Sequence, residues 1–233
     1  MKNLIIIGIS DVADRFIRII ERHKLFNVIA CAVDKQYLPD TPYMSIGGGK
    51  RNVWSIEDLD QHINKNEDLL FVAMLFNHLN ADRKKLYERL KAQGYKFANI
   101  ISPLASVRTD SVGDNCFIGD FVVVHEGVKI GNNVIIKDLS VIGAYSDIAS
   151  HCFISGGTAI GGGCLIGEET FLGMNSTIYT GNSVGEKCLI NAGIPINKDI
   201  PDFAMVTCGK QNYNIRVFDR EIMNESIVAH RKI

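Results

Sequence analysis

The chain changes hydrophobic rhythm near its middle. From Val112 to Ile196 every sixth residue is Ile, Val or Leu: Val112, Ile118, Val124, Ile130, Ile136, Ile142, Ile148, Ile154, Ile160, Ile166, Leu172, Ile178, Val184, Ile190 and Ile196. Neither the 3.6-residue period of an amphipathic helix nor the alternation of an ordinary strand makes this pattern. A period of six predicts a parallel β-helix, in which six residues form one short strand and one corner and three such units close a coil. The aliphatic residue points inward and stacks on its equivalents, and fifteen hexads make five coils that bury one another. Eight of the aliphatics are followed directly by glycine: Gly113, Gly119, Gly131, Gly143, Gly161, Gly167, Gly173 and Gly185. These are expected to supply positive φ at the corners. The fourth residue after each aliphatic is usually small, and Cys116, Cys152, Cys164 and Cys188 all fall in that register. The register predicts compact filling of a corner rather than a nucleophile.

The first hundred residues alternate strand and helix patterns. Strands are predicted at 4–9, 28–33, 69–75 and 96–101. Helices are predicted at 11–23, with Val12, Phe16, Ile19 and Ile20 on one face, at 55–64 behind a Ser55 cap, and at 80–93 before Gly94. Gly47-Gly48-Gly49-Lys50-Arg51 reads as a loop. This order predicts a small Rossmann-like parallel α/β domain over 1–103, ahead of the β-helix at 104–201 and a C-terminal extension at 202–233. Parallel sheets bind ligands at the carboxyl ends of their strands. Here those ends carry Ser10 in the first turn, Asp34 after the second strand, and the segment 76–83 with Asn77, Asn80 and Arg83. The first turn, Ile7-Gly8-Ile9-Ser10-Asp11, is not a GxGxxG fingerprint, which argues against a dehydrogenase. The Gly47–Lys50 stretch lacks the spacing and the Ser/Thr of a phosphate-binding loop.

Composition narrows the partners. A net charge of −1 argues against sequence-independent binding of nucleic acid. The longest apolar run, residues 69–76, is too short to cross a bilayer, and no signal-peptide pattern follows the first strand, so no membrane insertion is expected. Six cysteines without a CxxC pair predict a reducing, cytoplasmic setting and neither a disulfide framework nor a metal site.

The hexads resemble those of the hexapeptide-repeat acyltransferases, whose β-helix is left-handed. The order of the two halves resembles the sialic-acid O-acetyltransferase and bacillosamine-type amino-sugar N-acetyltransferase family, over nearly the whole chain to about residue 201. The resemblance implies acetyl-CoA as co-substrate, a nucleotide-linked sugar as acceptor, a role in surface-glycan biosynthesis, and a homotrimer with its acyl-transfer site at a β-helix corner. It implies that Asp34 meets the nucleoside and that 76–83, with its asparagines and Arg83, meets the diphosphate. It also puts the family's general base two residues after an inward aliphatic, which here is Ala144, so the expected histidine is absent. His125, one coil earlier on the same corner, is the candidate replacement, with Tyr145 as a neighbouring substrate contact. The acetyl carbonyl would meet the Gly162 amide, and coenzyme A would run past Thr180 towards Lys198 and Lys210. A missing base suits an amine acceptor better than a hydroxyl, because part of the amine is already neutral. Three functions stay open: N-acetyltransferase, O-acetyltransferase, and an attenuated homologue that only binds the nucleotide sugar.

Overall fold

The computed structural model describes residues 1–209 and 213–219. The chain divides into two compact units: Met1–Leu75 with Lys85–Ile100, and Phe76–Lys84 with the chain from Ile101 onward. The segment Phe76–Lys84, expected in the first domain, therefore clusters with the second.

The first unit is a five-stranded sheet. Its elements are β1 (Asn3–Ile7), α1 (Asp11–Arg22), β2 (Asn27–Val33), β3 (Tyr43–Ile46), β4 (Gly49–Ser55) and β5 (Leu69–Val72), in the order β3-β4-β2-β1-β5. β4, β2, β1 and β5 are parallel, and β3 is antiparallel to β4. β1 is buried from Leu4 onward because helices cover a parallel sheet on both faces. α1 inserts Ala13, Phe16, Ile17 and Ile20, a face rotated slightly from the expected one. The glycine-rich stretch is not a loop. Gly47 and Gly48, at φ +65° and +82°, turn the β3–β4 hairpin, a two-residue turn that asks for left-handed backbone at both positions. The predicted helix after Ser55 is a short 3-10 turn, Ile56–Gln61, capped by the Ser55 hydroxyl on the Glu57 N–H. α2 (Ala81–Ala92) begins in the second unit and ends in the first.

The second unit is the parallel β-helix. Its strands are two residues long, each ending on an inward aliphatic, as in Ile135–Ile136, Val141–Ile142 and Asp147–Ile148. Partners lie eighteen residues apart: Ile136 pairs with Ile154, Ile142 with Ile160, and Ile148 with Ile166. From Ile118 to Ile196 every inward aliphatic is buried, while Val112 at the start is half-buried. The coil then shortens: Val184 bridges to Ile200 and Ile190 pairs with Val206, sixteen residues on. Residues past 201 continue the sheet, because Ala204–Cys208 pairs with Leu189–Ile190 and then with Tyr213–Val217.

The corner geometry corrects one expectation. None of the eight glycines after the inward aliphatics has positive φ. The left-handed residue is the third after each aliphatic, from Asn115 through Tyr145, His151 and Gly163 to Gly193, with φ between +51° and +77°. The glycines serve close stacking instead. A Cβ on Gly167 would lie 2.4 Å from the Glu186 amide of the next coil, and one on Gly143 would lie 2.5 Å from the backbone at Gly161. The cysteine register is structural, as expected. Each of the four thiols is buried and reaches a backbone carbonyl of the next turn, as Cys152 Sγ does to Gly167 O at 3.1 Å. Burial pushes the Cys152 and Cys188 thiols up to about 12, so they stay protonated at neutral pH.

Candidate functional site

The corner after the strand Val141–Ile142 is built by one column of residues spaced eighteen apart: Glu126, Ala144, Gly162, Thr180 and Lys198. Each lies two residues past an inward aliphatic of the same sheet, and those aliphatics pair in register from Val124 to Ile196. Steps along such a column are about 4.8 Å. An acid thus stands at one end and an exposed Lys198 at the other, with a methyl group, a bare backbone and a hydroxyl between them.

The corner amides of the β-helix fall into two groups, those that donate to a side chain one coil above and those that do not. At four positions on the other corners the equivalent N–H donates to the side chain one coil above: Asp114 to Asn132, Asn132 to Ser150, Asp120 to Asp138, and Glu186 to Asp202. Above Ala144 stands Gly162, which has no side chain to accept. Above Gly162 stands Thr180, whose hydroxyl makes no such bond. Among the described residues neither the Ala144 nor the Gly162 N–H has a hydrogen-bond partner. Two uncommitted donors one step apart can hold a carbonyl oxygen that turns anionic. Gly163, at φ +66° with open space around its Cβ position, keeps the surface above them clear.

His125 and Tyr145 flank the column. The His125 side chain is half-exposed, and its Nδ1 is 3.7 Å from Glu126 Oε2. Arg108 Nη1 stands 3.6 Å from Glu126 Oε1. The Glu126 carboxyl is held below the usual range by its own backbone N–H first, then by Arg108 and His125. The Tyr145 ring is 76% exposed and lies over Gly127, where a Cβ would meet it at 2.4 Å. Tyr145 therefore offers an open aromatic face beside the column. Lys198 Nζ sits 6.0 Å from the Tyr213 ring centroid, and Lys210 lies outside the described residues.

His151 is on a different corner and is buried. Its Nδ1 faces Asn133 Nδ2 at 2.8 Å, continuing a ladder from Asn115, and its Nε2 is 4.0 Å from Glu168. Lys84 spans Glu168 and Glu169 at 2.5 and 2.7 Å, and Lys187 stands 3.6 Å from Glu169. Arg83 belongs to this network, which corrects its expected role. Its side chain is 2% exposed and donates to the backbone carbonyls of Asn133 and Asn115, the latter at 2.8 Å. A guanidinium so committed is not a diphosphate ligand. Its neighbour Asn80 is buried with its Nδ2 unpaired and follows His78 and Leu79 in a run of three left-handed residues; Asn77 is exposed. Nothing in the sequence pattern alone separates such an anchoring arginine from a ligand-binding one.

In the first unit, Asp34 closes β2 but is not an unpaired acid. It accepts from Arg89, which also helps hold the Glu57 carboxyl low, behind the Ser55 hydroxyl and nearby backbone amides. Ser10 precedes α1, is exposed, and makes no side-chain cap bond, so its hydroxyl is available at the helix N-terminus.

Comparison with known proteins agrees with this architecture. A profile for the bacterial transferase hexapeptide (six repeats) matches residues 111–144, and one for the hexapeptide repeat of succinyl-transferase matches 164–198. No curated protein sequence matches the chain. Among solved structures, a mutant of perosamine N-acetyltransferase from Caulobacter crescentus, in complex with CoA and GDP-perosamine, superposes with a TM-score of 0.77 at 24% identity, covering 94% of this chain and 98% of its own. The acetyltransferase domain of PglB from Neisseria gonorrhoeae FA1090, in complex with acetyl coenzyme A, gives 0.76 at 21% identity over 91% and 98%. WeeI from Acinetobacter baumannii AYE gives 0.76 at 15% identity over 93% and 100%. At these identities the likeness establishes the fold, a small α/β unit followed by a left-handed β-helix. The chain thus carries hexapeptide repeats over 111–144 and 164–198 and has the two-part fold of these acetyltransferases.

Proposed function

We propose that the chain is an acetyl-CoA-dependent N-acetyltransferase acting on a nucleotide-linked amino sugar in glycan biosynthesis, working as a homotrimer in the cytoplasm. The observation that carries this reading is the pair of uncommitted amides at Ala144 and Gly162, on a column that ends at Lys198. Those donors suit the thioester carbonyl. Thr180 and Lys198, one and two steps further on, suit the pantetheine arm and a phosphate. Similar folds carrying CoA with GDP-perosamine, and acetyl coenzyme A alone, support the choice of donor and acceptor. On the α/β unit, Ser10 and the Asp34–Arg89 pair are the proposed nucleotide contacts.

The acceptor follows from what the corner lacks. A sugar hydroxyl needs a positioned base at neutral pH, and Ala144 supplies none. A sugar amine is partly neutral already and attacks a thioester unaided far more readily. His125 then assists by taking up the proton. A homotrimer is supported by exposed apolar side chains on the β-helix, among them Phe121, Leu139, Val141, Leu165 and Tyr179. Phe153 and Phe171 do not add to this surface, because Phe76 packs on both rings. Among the described residues no helix is long and apolar enough to cross a membrane.

Thiol release from acetyl-CoA, measured with UDP-, GDP- and dTDP-linked amino sugars and their hydroxyl counterparts, tests the assignment. Release with an amino sugar is expected. Release with hydroxyl sugars alone makes the chain an O-acetyltransferase, and no release with any acceptor leaves a nucleotide-sugar-binding protein.

A further inference from the structure

We propose that Glu126 receives the ammonium group of the acceptor and thereby selects amino sugars over hydroxyl sugars; this rests on the acetyltransferase reading above. Glu126 stands one coil below Ala144, joined to that coil by the Tyr145 N–H on the Glu126 carbonyl at 3.1 Å. Only a methyl group occupies the step above it. Arg108 and His125 approach the carboxylate at 3.6 and 3.7 Å, ion-pair distances longer than hydrogen bonds. A carboxylate offers about four lone-pair sites, so with its own backbone N–H, Arg108 and His125 around it Glu126 keeps one acceptor for a further cation.

The levels match the reaction. An ammonium held about 2.8 Å from the carboxylate, on the side away from Arg108, lies near the level of Ala144. A thioester carbonyl held by the Ala144 and Gly162 amides lies within one further step of about 4.8 Å. A bulky side chain at 144 would fill the place the nitrogen needs. His125 converges on the same carboxylate and so stands beside the bound cation. The ammonium gives one proton to the His125 imidazole, or directly to water, and the neutral nitrogen attacks the carbonyl carbon. The C–N bond forms and the oxyanion rests on the two amides. On collapse the C–S bond breaks, its electron pair leaves with sulfur, and the thiolate takes the second proton from nitrogen. His125 returns its proton to water, so one amide, one thiol and one proton are formed. A neutral hydroxyl gains no ion pair with Glu126 and enters the corner without that advantage.

The test is titration calorimetry without acetyl-CoA, using UDP-, GDP- and dTDP-sugars in pairs that carry an amine or a hydroxyl at the same carbon. The native chain is expected to favour the amine by about tenfold in at least one pair, the scale of a partly exposed charge-assisted contact. Glu126→Gln should remove the preference, and Glu126→Asp should retain much of it. A preference that survives in Glu126→Gln overturns the proposal, as does the absence of any preference, lack of binding included. Thiol release on the same preparations separates the two readings. Intact transfer with an unaltered preference removes Glu126 alone. An intact Glu126-dependent preference without transfer removes only the acetyltransferase.

Discussion

At Ala144 the corner carries a methyl group, and the chemistry of the neighbouring residues decides how much this matters. His125 is one coil away and one position out of the column, so it is placed to accept a proton without being the centre of the site. A sole general base contributes about 10²–10⁴-fold. His125→Ala is expected to lower kcat/KM by about tenfold or less on an amino sugar, with the remaining rate rising with pH as the substrate amine deprotonates. A loss of a thousandfold would make His125 the essential base. His151 behaves differently because it is structural. Burial pushes its imidazole down to about 4, Lys84 and Arg83 add to the depression, and Glu168 and Glu169 oppose it. The unfolded chain binds that proton below about 6.5 and the folded chain only below about 4, so stability is lost as pH falls across that window, by at most about 1.4 kcal/mol per pH unit. Urea denaturation should show a shallower acid loss in His151→Gln, and an unchanged slope would place the acid sensitivity elsewhere.

At the scale of the hexad, two positions that both favour glycine do so for different reasons. Gly167 leaves room for the Glu186 amide of the next coil, whereas Gly193, at φ +72°, has open space around its Cβ position. Asn115, Asn133 and Asn175 occupy the position equivalent to Gly193 in other hexads. Gly167→Ala should therefore cost about 1–3 kcal/mol through overpacking, while Gly193→Asn should change stability by about 0.5 kcal/mol or less, since Asn tolerates left-handed backbone. Chemical denaturation of the two variants side by side measures the contrast; equal losses would mean that backbone conformation alone governs both sites. The segment Phe76–Lys84 shows the same dependence on packing. Phe76 sits on Phe153 and Phe171, and Arg83 and Lys84 join the ladder Asn115–Asn133–His151 and its neighbours Glu168 and Glu169.

At the scale of the whole molecule, the apolar side chains left on the β-helix call for partners. Leu139 is 65% exposed and Leu165 57%. Light scattering at micromolar concentration is expected to give the mass of three chains. A monomeric mass would remove the proposed assembly while leaving the corner column intact.

Much of this was legible in the amino-acid order. The period of six determined the β-helix, its inward aliphatics and the structural register of the cysteines, because each depends on local repetition alone. The same spacing put Glu126, Ala144, Gly162, Thr180 and Lys198 in one column, while the histidine expected at Ala144 was an implication of the family resemblance. The α/β order was legible too, although the β3–β4 hairpin hid in a glycine-rich stretch whose alternation is weak. Only the tertiary structure decided which corner residue is left-handed, since φ depends on how the coils stack and not on where glycine occurs. It also decided that Asp34 is paired with Arg89 and that Arg83 anchors a segment instead of waiting for a phosphate. A charged side chain carries no sign in the sequence of the partner that will neutralise or bury it; that is settled when distant segments meet.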